Sequence, residues 1–184
     1  IEQVSGNRPE LIWHKETSLE NYDLIVLPGG FSYGDYLRCG AMAAHSPIMK
    51  EVIRQAERGT RIFGVCNGFQ MLIETQILPG ALLRNNSLKF ICKHVHLKAE
   101  NVSDQMTKEL ANKPVIHVPV AHGDGNYFAN DNILTELKAN NQIAFRYCDG
   151  QGDITKNNPN GSTENIAGIY NKRKTVLGMM PHPE

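Results

Sequence analysis

The sequence predicts an α/β fold, a doubly wound and mostly parallel sheet with helices on both faces. Three observations carry that expectation. Asp23–Leu27 (D-L-I-V-L) is a continuous apolar run, the pattern of a strand covered on both sides, and Ile62, Phe63 and Val65 repeat it. Each run passes into a glycine-rich turn, Pro28-Gly29-Gly30 at the first and Gly64-Val65-Cys66-Asn67-Gly68 at the second. A helical pattern separates the two and another follows, which is the strand, helix, strand, helix rhythm of a parallel sheet.

Length and charge narrow the class. A chain of 184 residues is enough for one domain with a sizeable core. Nineteen basic and 19 acidic residues cancel, and no basic run is present, so no nucleic-acid partner is expected. The longest apolar stretches are too short to span a bilayer, so no membrane association is expected. The opening I-E-Q-V-S-G-N-R-P-E reads as neither a signal nor a transit peptide. The four cysteines, at positions 39, 66, 92 and 148, form no C-x-x-C pair. That argues against a zinc ribbon or a disulfide framework and favours a reducing cytoplasm. The chain does not begin with Met and stops at Pro181-His182-Pro183-Glu184, so it reads as a segment of a longer protein.

Taken in order, Glu10–His14 reads as a short strand after a polar lead-in, and Asp23–Leu27 as the next. Phe31–Ala44 is a glycine-punctuated loop passing into helix. Ser46 is a good N-cap with Pro47 at the first helical position. The helix runs through Ile48, Met49, Val52, Ile53 and Ala56 on one face until Gly59 stops it. After Pro79-Gly80, Leu88–Lys98 and Val115–Val120 read as strands, and Pro119 marks the second as an edge or a strand end. Ala121–Tyr127 (A-H-G-D-G-N-Y) is a polar glycine-rich loop, Asp131–Ala139 an amphipathic helix and Gln142–Cys148 a strand. Asp149–Glu164 is a long loop rich in Asn and Gly, of a length that is usually functional or mobile. Asn165–Tyr170 and Thr175–Met180 read as paired strands around the basic turn 171–174.

The chemistry centres on Arg61–Ile73 (R-I-F-G-V-C-N-G-F-Q-M-L-I). Small-x-nucleophile-x-small between a strand and a helix is the nucleophile-elbow pattern, with a thiol as the nucleophile. Glycines two residues either side let the backbone approach closely, and the following helix directs N–H groups and its positive end at the sulfur. A buried, inert cysteine at a strand end would share the motif. A thiol needs a base, and the base an orienting group. Both are offered by Pro181-His182-Pro183-Glu184: in an extended segment residues i and i+2 point the same way, so Glu184 can hold the ring of His182 while its other nitrogen faces Cys66. Sites in open parallel sheets form at the carboxyl ends of strands, where all three glycine- and proline-rich segments lie.

These segments together resemble the class I, triad-type glutamine amidotransferases, and within them the glutaminase subunits of phosphoribosylformylglycinamidine synthase. The resemblance is carried by L-P-G-G-F-S-Y-G-D-Y-L-R-C-G-A (27–41), G-V-C-N-G-F-Q (64–70), N-N-S-L-K-F-I-C-K (85–93), A-H-G-D-G (121–125) and V-L-G-M-M-P-H-P-E (176–184). It spans essentially the whole chain and implies a flavodoxin-like glutaminase fold. It implies Cys66 as nucleophile, His182 as base and then acid, and Glu184 as its orienter. Substrate contacts are implied at Gly29, Gly30, Asn67, Gln70 and His122, with the N–H groups of Gly30 and Asn67 as oxyanion donors. Asp124 departs from the commoner Glu at its position. His45, His94, His96 and His117 belong to no motif and read as surface or core; Cys39 and Cys92 are expected to pack and Cys148 to lie in the core.

The implied reaction is hydrolysis of L-glutamine through a thioester, with ammonia passed to a larger ATP-dependent synthetase of purine biosynthesis, usually bridged by a small third subunit. No metal and no cofactor is expected in this chain; ATP and Mg would belong to the synthetase. The loop 149–164 and the turn 171–174 are the expected docking surfaces. The resemblance also implies a central first strand and its helix ahead of this region, and a segment beyond Glu184. Residues 1–184 are therefore expected to form one glutamine amidotransferase type-1 domain truncated at both ends, its first strand missing. Two rivals share part of the pattern. Another cysteine-elbow hydrolase would not be expected to combine Gln70 and Pro-His-Pro-Glu with Leu-Pro-Gly-Gly, and a non-catalytic regulatory module would typically lack a triad member.

Overall fold

The computed structural model describes residues 1–102 and 105–183. A four-residue helix, α1 (Glu2–Ser5), opens the chain, and an exposed stretch without regular structure leads to β1 (Leu24–Leu27). The short α2 (Ala41–Ala44) precedes α3 (Pro47–Arg58), β2 (Arg61–Val65) and α4 (Asn67–Glu74). Then come β3 (Ala81–Leu83), β4 (Ile91–Ala99), β5 (Val115–His122), β6 (Asn126–Phe128) and α5 (Asp131–Ala139). Strands β7 (Ile143–Cys148), β8 (Ile166–Tyr170) and β9 (Val176–Met179) complete the described part.

Seven strands form one sheet in the order β1-β2-β9-β8-β7-β4-β5, and β3 and β6 form a separate two-stranded ladder. The parallel arrangement holds for β1, β2 and β9, the strands whose carboxyl ends carry the glycine turns and the chain end. From β9 onward the sheet is antiparallel, through β8, β7, β4 and β5. The sheet is therefore mixed rather than mostly parallel. The turn 171–174 joins β8 to β9 as a hairpin, which makes that pair antiparallel, whereas α3 lies in the crossover from β1 to its parallel neighbour β2.

One core lies between the sheet and α3, α4 and α5, with Ile62, Val65, Ile166 and Val176 meeting Val52, Phe69, Leu72 and Leu137. Helix α3 has Pro47 in its first turn and Gly59 at φ 93° as C-cap, as its sequence signals predict; Ser46 stands at the N-cap, but its hydroxyl makes no capping bond and lies 3.2 Å from Tyr33 Oη instead. The second core, on the opposite face, is built by strands, with Val95, Leu97, Val118 and Val120 packed against Phe145, Tyr147, Leu177 and Met179. Among the described residues its remaining cover is the segment with Val102, Met106 and Leu110, so α-helices cover one face and strands the other.

The sheet returns on itself. Strands β1 and β5 end the strand order, yet Pro119 O in β5 accepts a hydrogen bond from His182 N–H (2.9 Å), just beyond β9. Residues Glu10–His14, expected as a strand, form none. Leu11 is 92% exposed, and β1, the neighbour such a strand would need, pairs only with β2. A β-forming composition does not make a strand without a ladder partner.

Helix α4 lies against β1 so closely that a Cβ on Gly68 would sit 2.0 Å from Leu27 O. A Gly68→Ala substitution must part the two elements, and overpacking of this kind costs roughly 1–3 kcal/mol or more. Denaturant unfolding should show that loss, while Gly150→Ala, where the nearest atom is 3.6 Å away, should stay within about 0.5 kcal/mol of the parent.

Candidate active site

The register of the parallel strands builds the site. Leu27 pairs with Gly64 and Val65 with Met179, so the three carboxyl ends are level. The next residue after β2 is Cys66. Its N–H donates to Met179 O (2.8 Å), and its own C=O accepts the first bond of α4 from Gln70 N–H (3.1 Å). Between these two anchors the residue is held at φ 50° and ψ −106°, a strained conformation for a side chain with a Cβ. The thiol is buried, 6% exposed, and its Sγ–H is directed at Ala121 O, 3.7 Å away.

His182 arrives on the other side of Gly29. A Cβ at Gly29 would stand 2.8 Å from His182 Cε1 and 3.6 Å from Cys66 Cβ, so the ring and the thiol flank the same glycine. Only a residue without a side chain lets the imidazole approach this closely. Gly30 follows at φ 139°, a region suited to glycine. The loop is tied to the elbow, since Ser32 N–H donates to Asn67 Oδ1 (3.3 Å). The Asn67 N–H lies in the first turn of α4, where backbone donors have no intrahelical acceptor. Glu184 lies outside the described residues.

A cleft of about 540 Å³ opens above Cys66, lined also by Gly30, Gln70, His122 and Asp124. A larger groove of about 690 Å³ runs between α3, α5 and the turn 171–174, away from the thiol. The Asn67 and Gln70 side chains are buried and joined in a relay. Asn67 Nδ2 donates to Gln70 Oε1 (2.8 Å), and Gln70 Nε2 donates to Asp124 O (2.9 Å). The relay links the loop after Gly30 to the loop after β5.

Cys39, expected to pack, also faces this cleft, and its thiol donates to Asp124 Oδ2 (2.9 Å). Burial, and then that hydrogen bond, hold the Cys39 thiol far above its ordinary pKa, which keeps it protonated and a poor nucleophile. Burial also raises the carboxyl of Asp35 in the same cleft. Cys148 is fully buried and pushed up to about 11 by burial. Cys92 is exposed rather than packed. His45 is exposed, and His94 and His96 stack their rings against His117 on the outer face of β4 and β5. Among the described residues no group of three or more His, Cys, Asp or Glu side chains is arranged to hold a metal ion.

His122 is 2% exposed at the end of β5. Its Nδ1 lies 3.1 Å from Asn85 Oδ1, and a Cβ on Gly125 would be 2.3 Å from the ring, which is therefore locked. Burial pushes this imidazole down to about 4, and the neighbouring His182 acts in the same direction. Asn85, fully buried, did not stand out in the sequence beyond its place in N-N-S-L-K-F. Nor did Asn160, whose Nδ2 donates to Gly125 O (2.7 Å). The loop 149–164 is pinned rather than loose: Asn165 Nδ2 donates to Ile154 O (2.6 Å) and Asn157 O (3.0 Å), and Asn160 and Ser162 are buried.

Comparison with known proteins gives one consistent picture. The family model of the CobB/CobQ-like glutamine amidotransferase domain matches residues 8–184. Phosphoribosylformylglycinamidine synthase subunit PurQ of Rhizobium etli is 52% identical over 184 residues, all of this chain and 80% of that protein. The PurQ subunit of Thermosynechococcus vestitus is 56% identical over 176 residues, 95% of this chain and 73% of its own. Among solved structures, PurLQS from Thermotoga maritima superposes with a TM-score of 0.78 at 46% identity, covering 90% of this chain and 70% of that one. The glutaminase domain of Trypanosoma brucei CTPS, at 16% identity over 88% of this chain and 63% of its own, shares the fold with a TM-score of 0.53.

The neutral His122 has a consequence for stability. Its folded pKa, about 4, lies below the ordinary 6.5, so between those values the unfolded chain binds the extra proton. Its contribution is complete above pH 6.5 and is lost as pH falls through 4, about 3 kcal/mol at most. Denaturant unfolding between pH 7 and pH 4.5 should show this decline, with His122→Phe flattening it, and the His122 ring should not titrate by NMR above pH 5.

Proposed function

The chain belongs to the CobB/CobQ-like glutamine amidotransferase family, and from that premise we propose that it is the glutaminase component of phosphoribosylformylglycinamidine synthase. Relatives of that name that are 52% and 56% identical over nearly the whole chain support this reading. L-Glutamine is hydrolysed to glutamate and ammonia, and the ammonia is passed to a larger synthetase, which makes formylglycinamidine ribonucleotide in purine biosynthesis. The synthetase uses ATP and Mg, a small third subunit bridges the two, and the reaction takes place in the cytoplasm. The matched PurLQS complex supports the partnership. No helix among the described residues is long and apolar enough to cross a membrane.

The observation that carries the chemistry is Cys66 at a strained elbow with the His182 ring against the adjoining Gly29. His182 takes the thiol proton as Sγ attacks the carboxamide carbon. The oxyanion is received by the N–H groups of Asn67 and Gly30. The tetrahedral adduct collapses, its C–N bond breaks, and His182 returns the proton to the departing nitrogen. Water, deprotonated by His182, then cleaves the thioester and releases glutamate. Glu184 orients His182. Asn67 and Gln70 hold the two loops of the cleft as well as bounding the substrate.

Docking is better served by the mouth of the cleft than by the loop 149–164. Phe31 (65% exposed), Leu37 (91%) and Phe90 (53%) form an apolar rim there. Such a rim marks a surface that a partner covers.

A diazo-ketone analogue of glutamine should label Cys66, and Cys66→Ala and His182→Ala should each abolish glutaminase activity almost wholly. A label found by peptide mapping on Cys39, Cys92 or Cys148 refutes the assignment. Glutaminase turnover should rise at least tenfold when the synthetase is added, because closure of the Gly29-Gly30 loop is completed by docking. Equal rates with and without it would show that the partner does not control the site.

A further inference from the structure

His122 has a fixed tautomer. Asn85 Nδ2 donates to two carbonyls, Lys89 O and His122 O, both at 2.9 Å. The amide cannot be turned over without facing its oxygen to both. Asn85 Oδ1 is therefore an acceptor, and it also receives Gly125 N–H (3.1 Å). The ring nitrogen 3.1 Å from that oxygen, Nδ1, must carry a proton. In a neutral imidazole this leaves Nε2 with a lone pair and no hydrogen. Nε2 is buried and has no hydrogen-bond partner among the described residues. A buried acceptor left open costs stability unless something arrives to fill it. His122 borders the cleft beside Cys66, close enough to His182 for the two rings to feel each other's charge.

We propose that Nε2 of His122 accepts a hydrogen bond from the carboxamide nitrogen of glutamine and keeps it on that nitrogen as it leaves as ammonia. This deepens the glutaminase reading and rests on it. The substrate has two kinds of N–H donor. Its α-ammonium is a cation and suits the acidic side of the cleft, lined by Asp35 and by Asp124, the latter already beside Arg84 (3.4 Å). The carboxamide nitrogen is neutral and suits a neutral acceptor. It is also the atom that His182 protonates, so it belongs between the two imidazoles. When the C–N bond breaks, the electron pair stays on nitrogen, the proton comes from His182, and the ammonia formed still has a hydrogen for His122 Nε2. His122 takes no proton. Ammonia therefore leaves uncharged, the form in which it is a nucleophile.

The γ-methyl ester of glutamate separates this role from a structural one, because its leaving oxygen bears no hydrogen to donate. In the complex with the synthetase, His122→Leu should lower kcat/KM for glutamine by about 10- to 100-fold and for the ester by less than about threefold. His122→Gln, which can accept through Oε1, should recover part of the glutamine loss. A second readout spares the ring: in Cys66→Ala protein with 15N-labelled histidine, glutamine should move the His122 Nε2 resonance and the ester should not. Equal losses for both substrates, no loss for glutamine, or a resonance indifferent to glutamine would each overturn the proposal. If the parent complex hydrolyses neither substrate, the glutaminase reading falls, and this role with it.

Discussion

The hydrogen bond from Cys66 N–H to Met179 O (2.8 Å) carries the β2–β9 ladder one residue past the end of β2, onto the nucleophile itself. Without that anchor the residue would relax from φ 50°, a conformation costing on the order of 1–3 kcal/mol. With it, the elbow is pinned from below by the sheet and from above by Gln70 N–H. The rest of the site is built outward from there. Gly68 must be small because α4 starts immediately over Leu27 O. Gly29 must be small because the next level position on β1 is where the imidazole and the thiol meet.

A second layer of constraint is made of asparagines and glutamine rather than of charge. Asn67, Gln70, Asn85 and Asn160 are all buried, and each has its side chain hydrogen-bonded. Amides suit this work because each carries both donors and acceptors and no titratable charge. They satisfy loop backbone inside the protein without the desolvation penalty of a carboxylate. Through them the loops after β1, after β5 and after β7 are fastened to one another. Surface ion pairs such as Lys138–Glu164 and Lys172–Glu136 contribute little by comparison.

Much of the parallel half was legible in the sequence because its signals are local. The apolar runs, Ser46-Pro47 with Gly59, and Gly-x-Cys-x-Gly each specify structure within a few residues, and their strands, helix and turn lie where expected; β1, read as covered on both faces, is instead partly exposed because it ends the strand order. Pro119 marked β5 as an edge or a strand end, and β5 is the last strand in the order. Legibility failed where a partner decides the outcome. Glu10–His14 has strand-forming residues but no ladder, and β3 and β6 are too short to show an alternation. The loop 149–164 is polar because its amides point inward to other loops, which composition cannot distinguish from solvation. The tautomer of His122 depends on Asn85, 37 positions away. The orienting role proposed for Glu184 rests on the sequence alone, because that residue lies outside the described part.

The antiparallel half then has a purpose beyond completing a core. An open parallel sheet would present Cys66 and His182 on a rim with solvent on the far side. Here the sheet curls until β5, its last strand, lays Pro119 O against His182 N–H and Ala121 O against the thiol. The same closure brings the end of β5, and so His122, into the cleft. In the proposed mechanism the parallel strands supply the groups that exchange protons and make bonds. The antiparallel edge supplies neutral acceptors, the carbonyls of Pro119 and Ala121 and an imidazole, His122, whose pKa burial lowers. Because the two come from opposite ends of one sheet, the curvature of that sheet sets the width of the site. Val118, Val120, Leu97 and Phe145 pack together behind that curved part of the sheet, away from the cleft that holds Cys66.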